Sequence, residues 1–161
     1  AIIAAGLACE PQLLIADEPT TALDVTVETQ ILELIAEIKE EHQTSILLIT
    51  HNLEVVDDLC DKVAVMYAGK IVEHGLSSQV LSDPKHPYTQ GLLKCVPQLR
   101  TKKDIYPIPG EVPNLLALPQ GCSFQDRCPR VIKRCRIEEP LLELIPSGWS
   151  VRCHLYSEET K

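Results

Sequence analysis

The stretch LLIADEPTTALD at residues 13–24 is an apolar run that stops abruptly at two acidic residues, Asp17 and Glu18. Short continuous apolar runs are typical of strands buried on both faces of a parallel sheet. Carboxylates directly after such a strand lie at the sheet edge where α/β proteins bind ligands. In a nucleotide hydrolase the first carboxylate can hold Mg²⁺ through water, and the second can orient or deprotonate the attacking water. The alternative is two solvated carboxylates at a strand end.

The residues that follow predict a right-handed βαβ unit. A second apolar run, SILLIT at 45–50, ends directly before His51. Between the two runs the apolar side chains recur at helical spacing, and polar residues occupy the other face. Asp24 or Thr26 can cap the amino terminus of this helix. The helical positions are Val27, Ile31, Leu34, Ile35 and Ile38.

Beyond residue 52 the pattern predicts a helix over 53–60, an antiparallel hairpin over 62–75 turning at Ala68–Gly69, and short helices over 77–81 and 89–96. After Pro97 prolines become dense, which argues against long helices and central strands. We therefore expect two domains. The first, 1–96, is an α/β unit with a sheet and helices. The second, 97–161, is a small irregular cysteine-rich domain.

The charge distribution also changes near this boundary. Residues 1–95 carry 5 basic and 15 acidic side chains, whereas residues 96–161 carry 10 basic and 8 acidic. The first part is too acidic to be a nucleic-acid surface, so no nucleic-acid partner is expected. No apolar run reaches the roughly 18 residues that span a bilayer, and no secretory pattern opens the chain. Because the sequence begins without Met, we expect a piece of a longer protein.

LLIADEPTTALD resembles the Walker B segment and D-loop of ABC ATPases, and LLITHN at 47–52 resembles the segment that carries the family's switch histidine. The resemblance implies that Asp17 belongs to the Mg²⁺ site, that Glu18 is the catalytic base and that His51 contacts the γ-phosphate. It also implies that residues 1–96 are part of a P-loop nucleoside-triphosphatase sheet with helices, and that Asp24 reaches across a dimer interface. The phosphate-binding motif G-x-x-x-x-G-K-[ST] and the family's signature segment are absent from these 161 residues. We therefore expect the chain alone to be inactive.

HPYTQGLL at 86–93 and IPGEVPNLLALPQGC at 108–122 resemble the C-terminal extension of oligopeptide and dipeptide importer ATPases. This resemblance implies ATP and Mg²⁺ as cofactors and a second ATPase subunit, identical or different, as dimer partner. It further implies membrane permease subunits, an extracytoplasmic peptide-binding protein acting indirectly, and a peripheral location on the cytoplasmic face of the membrane. The alternative is a non-catalytic remnant that acts as a metal-binding interaction module.

Four of the seven cysteines crowd into the last quarter of the chain with the spacing C-x5-C-x6-C-x17-C. Four thiolates from one chain are a normal ligand set for a 4Fe–4S cluster or a structural zinc ion. The wide spacing favours the cluster, zinc is the alternative with His154 as a substitute ligand, and free thiols remain a third interpretation. The candidate ligands are Cys122, Cys128, Cys135 and Cys153.

Overall fold

The computed structural model of the chain describes residues 6–8, 10–41, 44–95 and 107–157, which divide into two compact units, Ala1–Cys60 and Asp61–Lys161. From residue 13 onward, strands and helices alternate in the described part of the first unit. In chain order they are β1 (Leu13–Asp17), α1 (Val25–Glu41), β2 (Ser45–Ile49) and α2 (Leu53–Leu59). β1 and β2 pair in parallel, with Asp17 opposite Ile49, so the predicted βαβ connection is present.

Local capping explains where both helices of this unit begin. The backbone N–H of Val27 donates to Asp24 Oδ1 at 3.0 Å, which makes Asp24 the cap of α1. Asn52 caps α2 in the same way, since its Oδ1 accepts from the N–H of Glu54 at 3.0 Å. Such side-chain acceptors satisfy amide groups that have no partner within the helix.

The expectation that both strands are buried on both faces is wrong. In β1 and β2 alternate residues are exposed, and the exposed face of the pair carries large apolar side chains. Ile15 is 59% exposed and Leu47 is 50% exposed. Apolar side chains favour burial on both faces of a strand. Within the described residues, however, this sheet has only two strands, so one of its faces remains open.

The second unit is built on a four-stranded antiparallel sheet with the order β3-β4-β6-β5. β3 and β4 form the predicted hairpin. Its turn residues Ala68 and Gly69 have φ of 48° and 77°, the left-handed pair that a two-residue type I′ turn requires. The elements are β3 (Lys62–Tyr67), β4 (Lys70–Leu76), α3 (Ser77–Ser82), α4 (Pro87–Cys95), a 3₁₀ turn (Lys133–Arg136), β5 (Glu143–Leu144) and β6 (Ser150–Val151).

The structure divides the chain at Cys60 and Asp61, not near residue 97, and residues 107–157 do not form a separate cysteine-rich domain. The reason is that the proline-rich segment adds two short strands to the hairpin sheet and shares its core. One buried cluster joins side chains from both sides of the expected boundary: Val65, Tyr67, Val72, Val80, Phe124, Ile145, Trp149 and Val151. A segment with too few apolar residues for its own core gains stability by packing on a neighbouring sheet.

Candidate functional site

The carboxyl ends of β1 and β2 bring Glu18 and His51 together. The backbone N–H of Glu18 donates to the carbonyl oxygen of Ile49 at 2.9 Å, which extends the parallel pairing by one residue. His51 follows β2 two positions later, and its Nδ1 lies 3.4 Å from Glu18 Oε1. Two side chains 33 residues apart in sequence thus meet at one sheet edge, as the two strand-end positions predict.

The Glu18 carboxylate is held by a tight turn as well as by His51. The Thr21 hydroxyl donates to Glu18 Oε2 at 2.8 Å, and the Thr21 N–H donates to the Glu18 carbonyl oxygen at 3.1 Å. Glu18 itself adopts φ of +43°, an uncommon conformation for a residue with a side chain. The hydrogen bond from Thr21, and then the contact with His51, lower the pKa of Glu18. The carboxylate is therefore held in its ionised form.

An open cleft of about 320 Å³ lies in front of this pair. Its walls carry hydroxyl, carboxylate, amide and imidazole groups, a lining suited to a polar ligand and to water. The lining residues are Glu18, Thr20, Thr21, Ala22, Glu28, Thr50, His51 and Asn52.

Asp17 and Asp24, the other two candidates in this unit, do not line the cleft. Asp17 ends β1 on the exposed face of the sheet, next to the cleft residue Glu18 in sequence. One oxygen of Asp24 accepts the capping hydrogen bond of α1, which gives this side chain a structural task within its own unit. Its expected role at a dimer interface stays a prediction.

The four candidate ligand cysteines surround one core in the second unit. Cys135 is buried, the other three are half-buried, and the N–H of Cys122 donates to the Cys135 carbonyl oxygen at 2.8 Å. Burial, and then the proximity of the other three thiols, raise the pKa of Cys153 to about 12. Burial also raises the pKa values of Cys122 and Cys128.

These thiols are not arranged as a ligand set. Throughout the described ranges, no group of three or more His, Cys, Asp or Glu side chains is placed so that it could hold a metal ion. The expectation of a preformed 4Fe–4S or zinc site at the four cysteines is therefore not supported. Their spacing brings them to one neighbourhood, but in the structure Cys122, Cys128 and Cys153 pack against the core, and Cys135 is buried, like small hydrophobic residues.

Comparison with known proteins gives consistent matches along most of the chain. Residues 72–135 match the family described as "Oligopeptide/dipeptide transporter, C-terminal region". The chain is 53% identical over 146 residues to the oligopeptide transport ATP-binding protein OppD of Escherichia coli K12, covering 90% of this chain and 43% of that protein. It is 48% identical over 159 residues to AppD of Bacillus subtilis 168, an oligopeptide transport ATP-binding protein, covering 98% of this chain and 48% of AppD. Along nearly its whole length the chain is thus similar to oligopeptide and dipeptide transport ATP-binding proteins.

A dipeptide transport protein gives a similar match. The dipeptide transport ATP-binding protein DppD of Escherichia coli K12 is 45% identical over 154 residues, which are 95% of this chain and 47% of DppD. The chain thus spans about half the length of these curated relatives. Among solved structures, cbiO1 from Clostridium perfringens, part of the ABC transporter complex cbiONQ, has a TM-score of 0.46 and 36% identity, covering 50% of this chain and 32% of cbiO1.

Among the helices in the described residues, none has the length and apolar character that a membrane span requires. A metal-binding interaction module as the main function, the alternative considered above, has no support from the relatives, which are named as transport ATP-binding proteins.

Sequence reasoning missed Thr21 and Glu28 as members of the cleft. A signal for Thr21 was available, since a proline after Glu18 favours a turn that returns residue 21 to residue 18. Glu28 lies in the first turn of α1, and its position beside the cleft follows from where that helix begins.

Proposed function

We propose that this chain is part of an ATP-binding subunit that hydrolyses ATP to drive peptide import, with Glu18 as the general base. The observation that carries the proposal is the pairing of Glu18 with His51 at the carboxyl edge of two parallel strands, 3.4 Å apart. The names of the related proteins, which are oligopeptide and dipeptide transport ATP-binding proteins, support peptides as the transported class.

In this mechanism Glu18 accepts the proton of the attacking water. A carboxylate whose pKa is lowered stays ionised at neutral pH, so it is available as a base without prior loss of a proton. Its Oε1 lies beside the His51 ring, and its Oε2 accepts from Thr21, so the carboxylate is anchored on both sides. We assign His51 to the terminal phosphate, where an imidazole N–H can donate to a phosphate oxygen.

The donor chemistry near β1 suits Mg²⁺, which prefers oxygen ligands and is commonly bound by one or two carboxylates together with phosphate oxygens and water. Such a site needs no all-protein cage, so the lack of a three-ligand group among the described residues does not conflict with it. When bound, Mg²⁺ neutralises phosphate charge, and Asp17 is the residue that we assign to hold it, through water.

The partners follow from the same proposal. We assign a second ATPase subunit, with Asp24 near the contact between the two, and membrane permease subunits that dock the pair on the cytoplasmic face of the membrane. A peptide-binding protein outside the cell would act on the permease and not on this chain. ATP binding would close the pair, and hydrolysis at Glu18 would reopen it.

The decisive experiment is turnover by the ATP-binding subunit that contains this sequence, purified with its transporter partners. Glu18→Gln keeps the shape of the side chain but cannot take a proton, so we expect kcat to fall by about 10²–10⁴-fold, the range for a general base, while ATP binding persists. Glu33→Gln is the matched control, because Glu33 is an exposed acid on α1 outside the cleft. A Glu18→Gln enzyme within about threefold of wild type excludes Glu18 as the base.

A second measurement uses the 161-residue chain by itself. Phosphoryl transfer depends on positioning of the phosphates, and this sequence contains no G-x-x-x-x-G-K-[ST] loop to cradle them. We expect no ATP turnover above the Glu18→Gln background. Steady ATP turnover by this chain, abolished by Glu18→Gln, would contradict the expectation that the chain alone is inactive.

We also propose, as a second candidate function, that the four cysteines around the shared core hold a 4Fe–4S cluster, with zinc as the alternative. The supporting observation is that residues spread over 32 positions collect in one neighbourhood. Their sulfur atoms must rearrange to ligate, since the present arrangement is not a ligand set.

Anaerobic purification with iron, sulfide and zinc analysis decides between these outcomes. About four irons and four sulfides per chain are expected for the cluster, and one zinc for the alternative. Cys135→Ser should remove the metal, whereas Cys95→Ser is the matched control from outside the group. A folded, metal-free protein whose four thiols all react with a thiol reagent would exclude both forms.

A further inference from the structure

Thr21 contacts Glu18 through two separate hydrogen bonds. Its backbone N–H donates to the Glu18 carbonyl oxygen at 3.1 Å and closes a four-residue turn that has Pro19 at its second position. Its hydroxyl donates to Glu18 Oε2 at 2.8 Å. The first bond orients the backbone of the turn, and the second bond orients the carboxylate that the turn presents to the cleft.

The two carboxylate oxygens of Glu18 therefore have different neighbours. Oε2 accepts from the Thr21 hydroxyl, and Oε1 lies 3.4 Å from the His51 ring. An exposed glutamate without such contacts samples several side-chain rotamers, and a base that is displaced by about 1 Å loses much of its effect. The Thr21 hydroxyl, three residues away in sequence, thus helps to hold the Glu18 carboxylate in one orientation.

We propose that Thr21 is a positioning residue for Glu18: its hydroxyl fixes the carboxylate beside His51, facing the cleft. The inference rests on the proposed ATP hydrolysis and adds to it a second determinant of the rate within the same turn. The hydroxyl is the part of Thr21 that carries the role, because the backbone bond of the turn can form with any residue except proline at this position.

Loss of the hydroxyl should affect kcat and KM differently, which a purely structural threonine would not do. Thr21 contacts the proposed base and orients its carboxylate, so the rate of the chemical step falls when the hydroxyl is removed. Binding of ATP does not depend on the orientation of the base, so KM should stay near its wild-type value.

Three variants isolate the hydroxyl. Thr21→Val removes it at nearly constant shape, and Thr21→Ser retains it. Thr29→Val is the matched control, because the Thr29 hydroxyl is also exposed and donates only to the carbonyl oxygen of Val25 within α1, at 2.9 Å. The kcat and KM for ATP are measured for the subunit assembled with its transporter partners, and thermal unfolding of each variant checks that it is folded.

We expect Thr21→Val to lower kcat roughly tenfold, the lower end of what one hydrogen bond to a charged group contributes, with KM within about twofold of wild type. Thr21→Ser should restore turnover, and Thr29→Val should match wild type in both kcat and KM.

Three results overturn the inference, and they are distinguishable. If Glu18→Gln abolishes turnover but Thr21→Val leaves kcat unchanged, Thr21 does not position the base although the base assignment stands. If Thr21→Ser is as impaired as Thr21→Val, the hydroxyl is not the responsible group. If Glu18→Gln leaves turnover intact, the proposed function fails, and the positioning role fails with it.

Discussion

Replacement of Glu73 by alanine tests the buried polar network of the second unit. The Glu73 side chain is fully buried and accepts three hydrogen bonds. The backbone N–H groups of Lys85 and His86 donate at 2.7 and 3.0 Å, and the Trp149 indole Nε1–H donates at 3.0 Å. One carboxylate on β4 thereby connects the segment before α4 with the segment before β6.

The magnitude follows from what alanine leaves behind. A buried donor without an acceptor costs about 1–3 kcal/mol, and entry of water into the space relieves part of that cost. With three neutral donors left without an acceptor and part of their cost relieved by water, we expect Glu73→Ala to lower the free energy of unfolding by about 3–5 kcal/mol. Glu73→Gln keeps the volume but turns an amide NH₂ toward donors, and it should cost about 2 kcal/mol. Glu111→Ala, an exposed control in the same unit, should change stability by less than about 0.5 kcal/mol.

The assay is urea denaturation followed by tryptophan fluorescence. Trp149 is the only tryptophan in the chain, and its indole N–H is one of the three donors, so the signal reports on the network itself. A double-mutant cycle with Trp149→Phe, followed by circular dichroism, isolates the pair. Contacting residues in such cycles give coupling energies of about 0.5–3 kcal/mol.

Two results refute this reasoning. The first is a Glu73→Ala protein within about 1 kcal/mol of wild type at an unchanged denaturant slope. The second is a coupling energy near zero between Glu73 and Trp149. If the alanine variant does not fold, the Glu73→Gln and Trp149→Phe pair still yields the coupling, so the test remains decisive.

Three further predictions concern the same unit. Burial lowers the pKa of His86 from 6.5 to about 4, so as the pH falls the unfolded chain takes up the proton first and the folded state loses stability between pH 6.5 and 4. The free energy of unfolding should drop by at most about 3 kcal/mol over that range, and His86→Asn should reduce this dependence on pH. Gly75→Ala would place a methyl carbon 2.4 Å from Trp149 Cβ, so we expect thermal unfolding to show a loss of about 1–3 kcal/mol, and a variant as stable as wild type would contradict the packing. The Lys70–Glu139 ion pair is one-third or more exposed on both sides, so Lys70→Ala should cost less than about 1 kcal/mol, and a larger loss in the same assay would show that the pair is more than a surface contact.

Local patterns predicted the elements of this chain well, because the relevant signals are local. The apolar runs at 12–16 and 45–50 became β1 and β2, the helical spacing after Asp24 became α1, and the Ala68–Gly69 turn formed as predicted. Position at the end of a strand was sufficient to bring Glu18 and His51 together, since two parallel strands end at the same edge.

The errors have a different origin, because they concern contacts between distant segments. β6 pairs Val151 with Glu73, and no pattern within either short segment specifies that partner. Within residues 107–157 the proline density correctly argued against long helices, but its indication against central strands was wrong. The two-residue strand β6 lies inside the sheet, between β4 and β5. The cysteine spacing predicted that the thiols gather, yet spacing carries no information on how their sulfur atoms are oriented.

The left-handed backbone of Glu18 restricts which substitutions this position can tolerate. Its φ of +43° is most easily adopted by Gly, Asn and Asp, and left-handed geometry costs other residues about 1–2 kcal/mol. Gly and Asn remove the carboxylate, and Asp shortens it by one methylene, away from the Thr21 hydroxyl 2.8 Å from Oε2. In a saturation library, selection for protein abundance should therefore enrich Gly and Asn at position 18, whereas selection for transport should return glutamate. The two selections should therefore favour different residues at position 18.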